Sequence, residues 1–343
     1  MKQTSPPQKI LLIQTAFAGD VILSLGAAET LKTYFPETEI HYVVRPECHS
    51  LFSGHPFIRK VWVMHKKSPT AWLRLIPALR RESFSAAFTF QRYFRSGLLA
   101  LCSGAPIVVG YKENPLASLF SFSTPYFDSH TGWPSGAHEY LRCNSLVAIP
   151  WNIPADRFLK PVVYPLPDQG ASRYGLQPRS YIVAAPGSLW FTKRLPQRLW
   201  VRLLLDLPSK YTLVFVGSAS ERYSVHDMIS FLKKREVLNL AGALSFLESA
   251  ALMRDAALCI VQDSAPLHLA SAVNARVCAI FGSTVPSFGF GPLSDQHVVL
   301  ETSENLACRP CGIHGRQRCP QGHFKCMETI PLHRVKEFLD QLC

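Results

Sequence analysis

Short apolar runs alternate with helix-like segments along most of the chain, and this alternation constrains the fold more than any other feature. Residues 258–273 show one complete unit. The apolar run 258–261 is typical of a buried strand, and the polar turn Gln262-Asp263-Ser264 ends it. A helix is predicted at 266–273, with a small polar residue near its cap and proline in its first turn. Strands joined by helices in this way predict parallel sheets.

The alternation falls into two series, separated by a proline-rich stretch over residues 150–180. In the first series, strands are predicted at 9–14, 39–44, 61–64, 86–90 and 107–109, and helices at 21–34 and 71–81. In the second, strands are predicted at 181–185, 212–216, 258–261 and 277–281, and helices at 197–205, 221–233, 246–255, 266–273 and 331–342. We therefore predict two Rossmann-like, doubly wound α/β domains, at residues 1–165 and 166–343, that face a central cleft.

The composition fits a folded protein with an anionic partner. Hydrophobic residues make up 48% of the 343 residues and charged residues 17%, which excludes a largely disordered chain. No apolar stretch approaches the roughly 20 residues of a membrane span, and the N-terminus lacks a signal-peptide pattern, so we expect a cytoplasmic protein. The net charge of +12, with basic residues dense between positions 59 and 95, favours a nucleic acid, a lipid surface or a phosphorylated substrate.

Ligands of parallel α/β sheets bind outside the carboxyl ends of the strands. After the first predicted strand, a loop of mostly small residues leads through Gly19 to Asp20 at the start of a helix. Asp20 fits two roles, the N-cap of that helix or a carboxylate at the cleft that acts as a general base. The chain lacks a G-x-G-x-x-G motif in this loop and a G-x-x-x-x-G-K-[ST] motif anywhere, which argues against dinucleotide and P-loop sites.

Two strand ends of the second series carry groups suited to a nucleotide diphosphate. Gly187 and Ser188 form a small turn ahead of Lys193, where backbone N–H groups and an ammonium can meet phosphate; an ordinary solvent loop fits the same pattern. Gly217 follows another strand, and Glu221 lies in the first turn of the helix beyond it. Its carboxylate fits two roles, a favourable interaction with the helix dipole or hydrogen bonds from ribose hydroxyls.

A third strand end lies at Asp263. A helix is predicted to begin just beyond it, and the free backbone N–H groups of such an N-terminus attract an anion. His268 lies on the same helix and is either packed in the core or part of the site. Together, the three strand ends predict a nucleotide-diphosphate pocket in the second domain.

The chain resembles the heptosyltransferases of glycosyltransferase family nine over nearly its whole length. The resemblance rests on four segments in order: GDVILSLGAAETLKTYFPETEIHYVVRP, PGSLWFTKRLPQRLW, DSAPLHLASAVNARVCAIFGST and CRPC…CPQGHFKCM. It implies the GT-B architecture, with an N-terminal acceptor-binding domain and a C-terminal nucleotide-sugar-binding domain. The implied reaction transfers a heptose from ADP-heptose to the lipopolysaccharide core, by inverting single displacement and with no cofactor required for catalysis.

The resemblance also assigns roles to residues. It implies that Asp20 deprotonates the acceptor hydroxyl and that Lys193 neutralises the diphosphate. It further implies that Glu221 lies near the ribose and that Asp263 holds hydroxyls of the donor sugar. Ser264 and Ala265 would supply backbone N–H groups to the diphosphate at the helix N-terminus. The implied acceptor is an anionic glycolipid at the inner leaflet of the membrane, which the basic N-terminal region would suit. Four residues of the basic region could anchor the chain to that surface or belong to the core: Trp72, Leu73, Leu75 and Ile76.

Four of the ten cysteines cluster near the C-terminus. Cys308, Cys311, Cys319 and Cys326, with His314 and His323 between them, supply enough ligands for a structural zinc site. Reduced, packed thiols and disulfides are the alternatives. Two other functions remain open from sequence: a GT-B enzyme that uses another nucleotide sugar, and a basic protein that binds nucleic acid or anionic lipid. Aromatic residues are not interleaved with the basic ones as nucleic-acid stacking requires, so we expect no nucleic-acid partner.

Overall fold

A computed structural model describes residues 6–65, 68–127, 136–166, 168, 170–232 and 235–342. The chain divides between Tyr164 and Pro165 into two compact units, called here the N-unit and the C-unit. The division falls inside the proline-rich stretch, where regular periodicity is lost. Each unit contains its own parallel sheet.

The N-unit is built on a six-stranded sheet in the order β3-β2-β1-β4-β5-β6, with all neighbours parallel. Its strands are β1 (Lys9–Ile13), β2 (Glu39–Val44), β3 (Ile58–Val63), β4 (Ala86–Thr89), β5 (Ile107–Tyr111) and β6 (Phe122–Thr124). Its helices are α1 (Ala18–Tyr34), α2 (Pro69–Arg81), α3 (Phe94–Cys102) and α4 (Glu139–Ala148). β1 lies in the middle of the sheet and its apolar residues are fully buried, as a parallel strand covered on both faces requires.

The C-unit repeats this plan in the order β12-β11-β10-β7-β8-β9. Its strands are β7 (Tyr181–Ala185), β8 (Thr212–Phe215), β9 (Val237–Asn239), β10 (Leu258–Gln262), β11 (Val277–Ile280) and β12 (His297–Leu300). Its helices are α5 (Gln197–Asp206), α6 (Arg222–Ser230), α7 (Phe246–Asp255), α8 (Ala265–Ala272), α9 (Lys325–Glu328) and α10 (His333–Gln341). Trp200 on α5 is fully buried in an apolar cluster that includes residues of β7, β8, β10 and β11.

The sequence prediction of two parallel α/β sheets is confirmed, and its errors have local causes. The prediction missed β6 and β9, which contain three residues each, because runs this short show no measurable period. It also missed α3, α4, α9 and β12. In the structure, the first helix begins at Ala18, three residues before its predicted start at residue 21, and its N-cap is Phe17. The N-cap role considered for Asp20 is therefore wrong.

Of the two interpretations of the apolar residues on the basic helix, the structure favours the core one for the described side chains. Leu75 is buried in the N-unit core, and Trp72 and Ile76 pack against the same cluster. The side chain of Leu73 lies outside the described residues. Among the helices that the structure describes, none is both long and apolar enough to cross a bilayer.

Candidate active site

The junction between β10 and α8 presents a helix N-terminus at the carboxyl edge of the C-unit sheet. Ser264 is the N-cap, with extended backbone angles (φ −162°, ψ 177°), and the helix continues through Ala265 and a proline at its second position. The Ser264 hydroxyl does not cap the helix; it donates to the Gly187 carbonyl at 3.2 Å and to the Gln262 carbonyl at 3.4 Å. Pro266 has no N–H and the Leu267 N–H donates to the Ser264 carbonyl at 3.0 Å, so among the described residues of this helix end the N–H groups of Ser264 and Ala265 are left for a ligand.

A polar cluster lies beside this junction. The Lys193 ammonium forms an ion pair with Asp263, with 2.7 Å between Nζ and Oδ2, and both side chains are largely buried, at 13% and 7% exposure. The Thr284 hydroxyl donates to the same carboxylate oxygen. Among the described residues, both side-chain contacts of Asp263 fall on Oδ2, so Oδ1 can accept from a further donor. Sequence patterns predicted Lys193 and Asp263 but missed Thr284, which follows β11.

The Glu221 carboxylate lies between two strand-end loops. A Cβ atom added to Gly187 would be 1.9 Å from its Oε1, and one added to Gly217 would be 2.3 Å from its Oε2. Only glycine leaves room for the carboxylate at these two positions. Glu221 also accepts from the Ser218 N–H at 2.8 Å in a capping box that precedes α6, so the carboxylate is fixed where β7 and β8 end.

Buried polar groups fix the Gly187–Lys193 turn against β10. The Gln262 side-chain amide donates to the Pro186 carbonyl at 2.6 Å and accepts from the Leu195 N–H at 3.2 Å. The Arg194 guanidinium donates to the carbonyl of the buried Ser188 at 2.7 Å. These bonds hold the turn that carries Lys193, so the ammonium is presented from a rigid support. Ser188, whose carbonyl accepts the bond from Arg194, therefore supports the site through its backbone.

Asp20 lies in the N-unit, where the sheet's central strand ends. It occupies the third residue of α1, beyond the buried Gly19, and is half-buried. Burial of the thiol, with smaller contributions from charges that include the Asp20 carboxylate, raises the pKa of Cys48 to about 11. The dipole of α1 favours negative charge in its first turn, so this position suits a carboxylate.

Two arginines beside this edge were not singled out from the sequence. Arg45 follows β2; its Nε donates to the Thr15 carbonyl at 2.8 Å, and its guanidinium stacks on Phe17 at 4.6 Å. Arg92 follows β4 and stacks on Tyr126 at 4.4 Å. Because β2, β1 and β4 are neighbours in the sheet, these arginines follow the strands on either side of the one that leads to Asp20.

His268 and the cysteine cluster lie apart from these contacts. His268 is buried on α8, with its ring 6.1 Å from that of Phe290, which favours the packing interpretation. All four clustered cysteines line one small pocket with Thr192 and Ser283, and none of them forms a disulfide. Among the described residues, no group of three His, Cys, Asp or Glu side chains is placed to hold a metal ion. Zinc at these cysteines stays a prediction.

Solved structures with the same fold include the glycosyl transferase family 9 protein from Veillonella parvula DSM 2008. Its TM-score is 0.81 at 19% identity, and the match covers 98% of this chain and 97% of that one. The structure of E. coli ADP-heptose lps heptosyltransferase II matches with a TM-score of 0.78 at 22% identity, over 97% and 98% of the two chains. The two Rossmann-like units, with polar groups collected at the carboxyl ends of their strands, give this chain the GT-B-type fold.

Sequence comparison identifies the family. Residues 72–315 match the model of glycosyltransferase family 9 (heptosyltransferase), so the chain belongs to this family. Lipopolysaccharide heptosyltransferase 1 of Pseudomonas aeruginosa is 25% identical over 330 residues, which cover 88% of this chain and 86% of that protein. Lipopolysaccharide heptosyltransferase 2 of Escherichia coli is 22% identical over 356 residues, which cover 97% and 98%.

Proposed function

We propose that this glycosyltransferase moves a heptose from ADP-heptose to an acceptor sugar of the lipopolysaccharide core, with inversion at the anomeric carbon. The observation that carries the proposal is the Lys193–Asp263–Thr284 cluster beside the N-terminus of α8, which offers separate groups for a diphosphate and for a sugar. The family membership and the relatives named as lipopolysaccharide heptosyltransferases support heptose as the transferred sugar and lipopolysaccharide as the acceptor.

The donor binds along the carboxyl edge of the C-unit sheet. Its diphosphate accepts hydrogen bonds from the N–H groups of Ser264 and Ala265, where the helix dipole favours negative charge. Glu221, fixed between the two glycine-containing loops, accepts from the ribose hydroxyls. Asp263 accepts from a hydroxyl of the sugar through Oδ1, since its described contacts fall on Oδ2.

Lys193 neutralises the charge that develops on the leaving group. In the absence of donor its ammonium balances Asp263, which prevents an unpaired charge at a largely buried position. The diphosphate supplies a second negative partner close to the same ammonium. Stabilisation of the departing ADP by such preorganised groups typically lowers a barrier by about 3 kcal/mol for each group.

Asp20 acts as the general base of a single displacement. The acceptor oxygen forms a bond to the anomeric carbon while the bond from that carbon to the ADP oxygen breaks and ADP leaves with the electron pair. Asp20 takes the proton from the acceptor hydroxyl, an assistance that typically contributes about 10²–10⁴-fold to the rate. The step needs no metal ion to balance its charges, because the ammonium and the helix N-terminus meet the diphosphate.

The acceptor is an anionic glycolipid, and the N-unit supplies the groups that bind it. Arg45 and Arg92 are held on aromatic rings, so they can meet carboxylate or phosphate groups with little loss of side-chain freedom. Such an acceptor places the enzyme at the cytoplasmic face of the inner membrane. The net charge of +12 favours that anionic surface.

The test is a transfer assay with ADP-heptose and a lipopolysaccharide core acceptor. Asp20→Asn should reduce transfer by at least about 100-fold while donor binding, measured by calorimetry, stays unchanged. Glu37→Gln is the matched control, because it neutralises an exposed acid just beyond the end of α1. Near wild-type transfer by Asp20→Asn would show that the base is another group. A melting temperature raised only by a different sugar nucleotide would overturn the choice of donor.

A further inference from the structure

The Asp263 carboxylate is oriented by the loop at residues 282–284, and Arg309, 25 positions beyond the end of this loop, holds the loop in place. Residues 282–284 follow β11, and the buried Thr284 hydroxyl at the end of this loop donates to Asp263. The Arg309 guanidinium donates to the Gly282 carbonyl at 2.6 Å and to the Thr284 carbonyl at 2.9 Å. One side chain therefore fixes both ends of the three-residue loop.

Further contacts make this support rigid. The Arg309 guanidinium also pairs with Glu301, and the arginine side chain is only 14% exposed. The Cys311 N–H donates to the Ser283 carbonyl at 2.7 Å, and the Ser283 hydroxyl donates to that of Thr192 at 2.9 Å. The cysteine-rich segment thus holds the loop through its backbone and through one arginine.

We propose that Arg309 is a positioning residue for recognition of the donor sugar. It fixes the backbone of residues 282–284, so that the Thr284 hydroxyl holds Oδ2 of Asp263 and Oδ1 faces the sugar. The inference rests on the proposed function, because it assigns Asp263 to the sugar and Lys193 to the diphosphate. The inference treats binding of the sugar and binding of the nucleotide as separate: the contacts of Arg309 affect binding of the sugar, and binding of the nucleotide does not depend on them.

Lysine cannot replace arginine in this link. The planar guanidinium donates to two carbonyls and a carboxylate at once, whereas an ammonium on a flexible stem has no such fixed fork. Arg309→Lys keeps the positive charge and loses the fork. Thr284→Val removes the hydroxyl and keeps the shape of the side chain. Both substitutions should therefore weaken binding of the sugar by a common route.

The experiment measures the dissociation constants of ADP and of ADP-heptose by calorimetry for each variant. Arg309→Lys and Thr284→Val should each weaken ADP-heptose binding by about tenfold, the effect of one hydrogen bond to a charged group, and leave ADP binding within about twofold of wild type. The double variant should lose no more than either single variant, because both act on one carboxylate. Arg318→Lys is the control, since this exposed arginine belongs to the same segment.

Each outcome decides between the alternatives. Equal losses for ADP and ADP-heptose would show a general structural role and overturn the inference, as would additive losses in the double variant. If Arg309→Lys does not fold, unchanged ADP-heptose affinity in Thr284→Val overturns it. A wild-type protein that binds ADP but shows no gain from the heptose would overturn the proposed function and the inference with it.

Discussion

The ion pair between Lys193 and Asp263 makes a prediction whose size can be worked from its geometry. Lys193→Met leaves a carboxylate that is 7% exposed without its ammonium partner, which lies 2.7 Å away in the wild-type protein. Removal of one partner from a fully buried pair costs about 3–5 kcal/mol. Here both side chains keep some exposure and the Thr284 hydroxyl still donates to the carboxylate, so the loss should fall below that range. We therefore expect the free energy of unfolding to fall by about 2 kcal/mol.

A double-mutant cycle measures this interaction. Lys193→Met, Asp263→Asn and the double variant are unfolded by heat, and a loss of about 2 kcal/mol should lower the melting temperature of a unit of this size by about 4–8 °C. The double variant should be more stable than the sum of the single losses predicts, by about 1–2 kcal/mol. Lys336→Met, at an exposed position of α10, is the matched control and should change the melting temperature little. A coupling energy below about 0.5 kcal/mol would refute the reasoning.

Three further predictions test other parts of the structure. Gly187→Ala should displace the Glu221 carboxylate, because the new Cβ would lie 1.9 Å from Oε1, and calorimetry should show weaker ADP binding; Gly291→Ala, whose Cβ meets its nearest atom at 3.5 Å, should leave ADP binding unchanged. Burial raises the pKa of Glu29 from 4.5 to about 7, so the folded state holds a proton that the unfolded state releases first. Stability therefore falls as pH rises through this window, and Glu29→Gln should reduce the difference in melting temperature between about pH 5 and about pH 8; an unchanged difference would contradict this origin. Zinc at the cysteine cluster is tested by elemental analysis of purified protein, where less than about 0.2 zinc per chain would remove the prediction.

The sequence predicts the strands of both sheets best where they are buried on both faces. Continuous apolar runs such as those of β1, β7 and β10 arise because a strand in a parallel sheet has no solvent face. Short edge strands lack this signal. Helix starts were displaced where no side chain caps the helix, as at Phe17, since a cap made only by backbone geometry leaves no mark on the sequence.

The candidate site was predictable only in part, for a different reason. Residues directly after a strand, such as Lys193 and Asp263, can be found because parallel topology places strand ends at one edge. The ion pair between them could not be predicted, because it depends on the geometry of two side chains that lie 70 positions apart in the sequence. Thr284 and Arg309 were missed for the same reason: each acts through a contact with a residue remote in the chain.

The strand order of the two sheets bears on how the chain can be built during translation. β1 and β7 are the first strands of their sheets to be synthesised, and both lie in the middle. In the N-unit, β2 and β3 extend one side before β4 to β6 extend the other. In the C-unit, β8 and β9 extend one side before β10 to β12 extend the other. Among the described strands, each newly synthesised one can therefore join a free edge, and none must be inserted between two that are already paired. Synthesis from the N-terminus can thus extend each sheet outward without breaking earlier strand pairs. This shortens the time during which aggregation-prone intermediates are exposed.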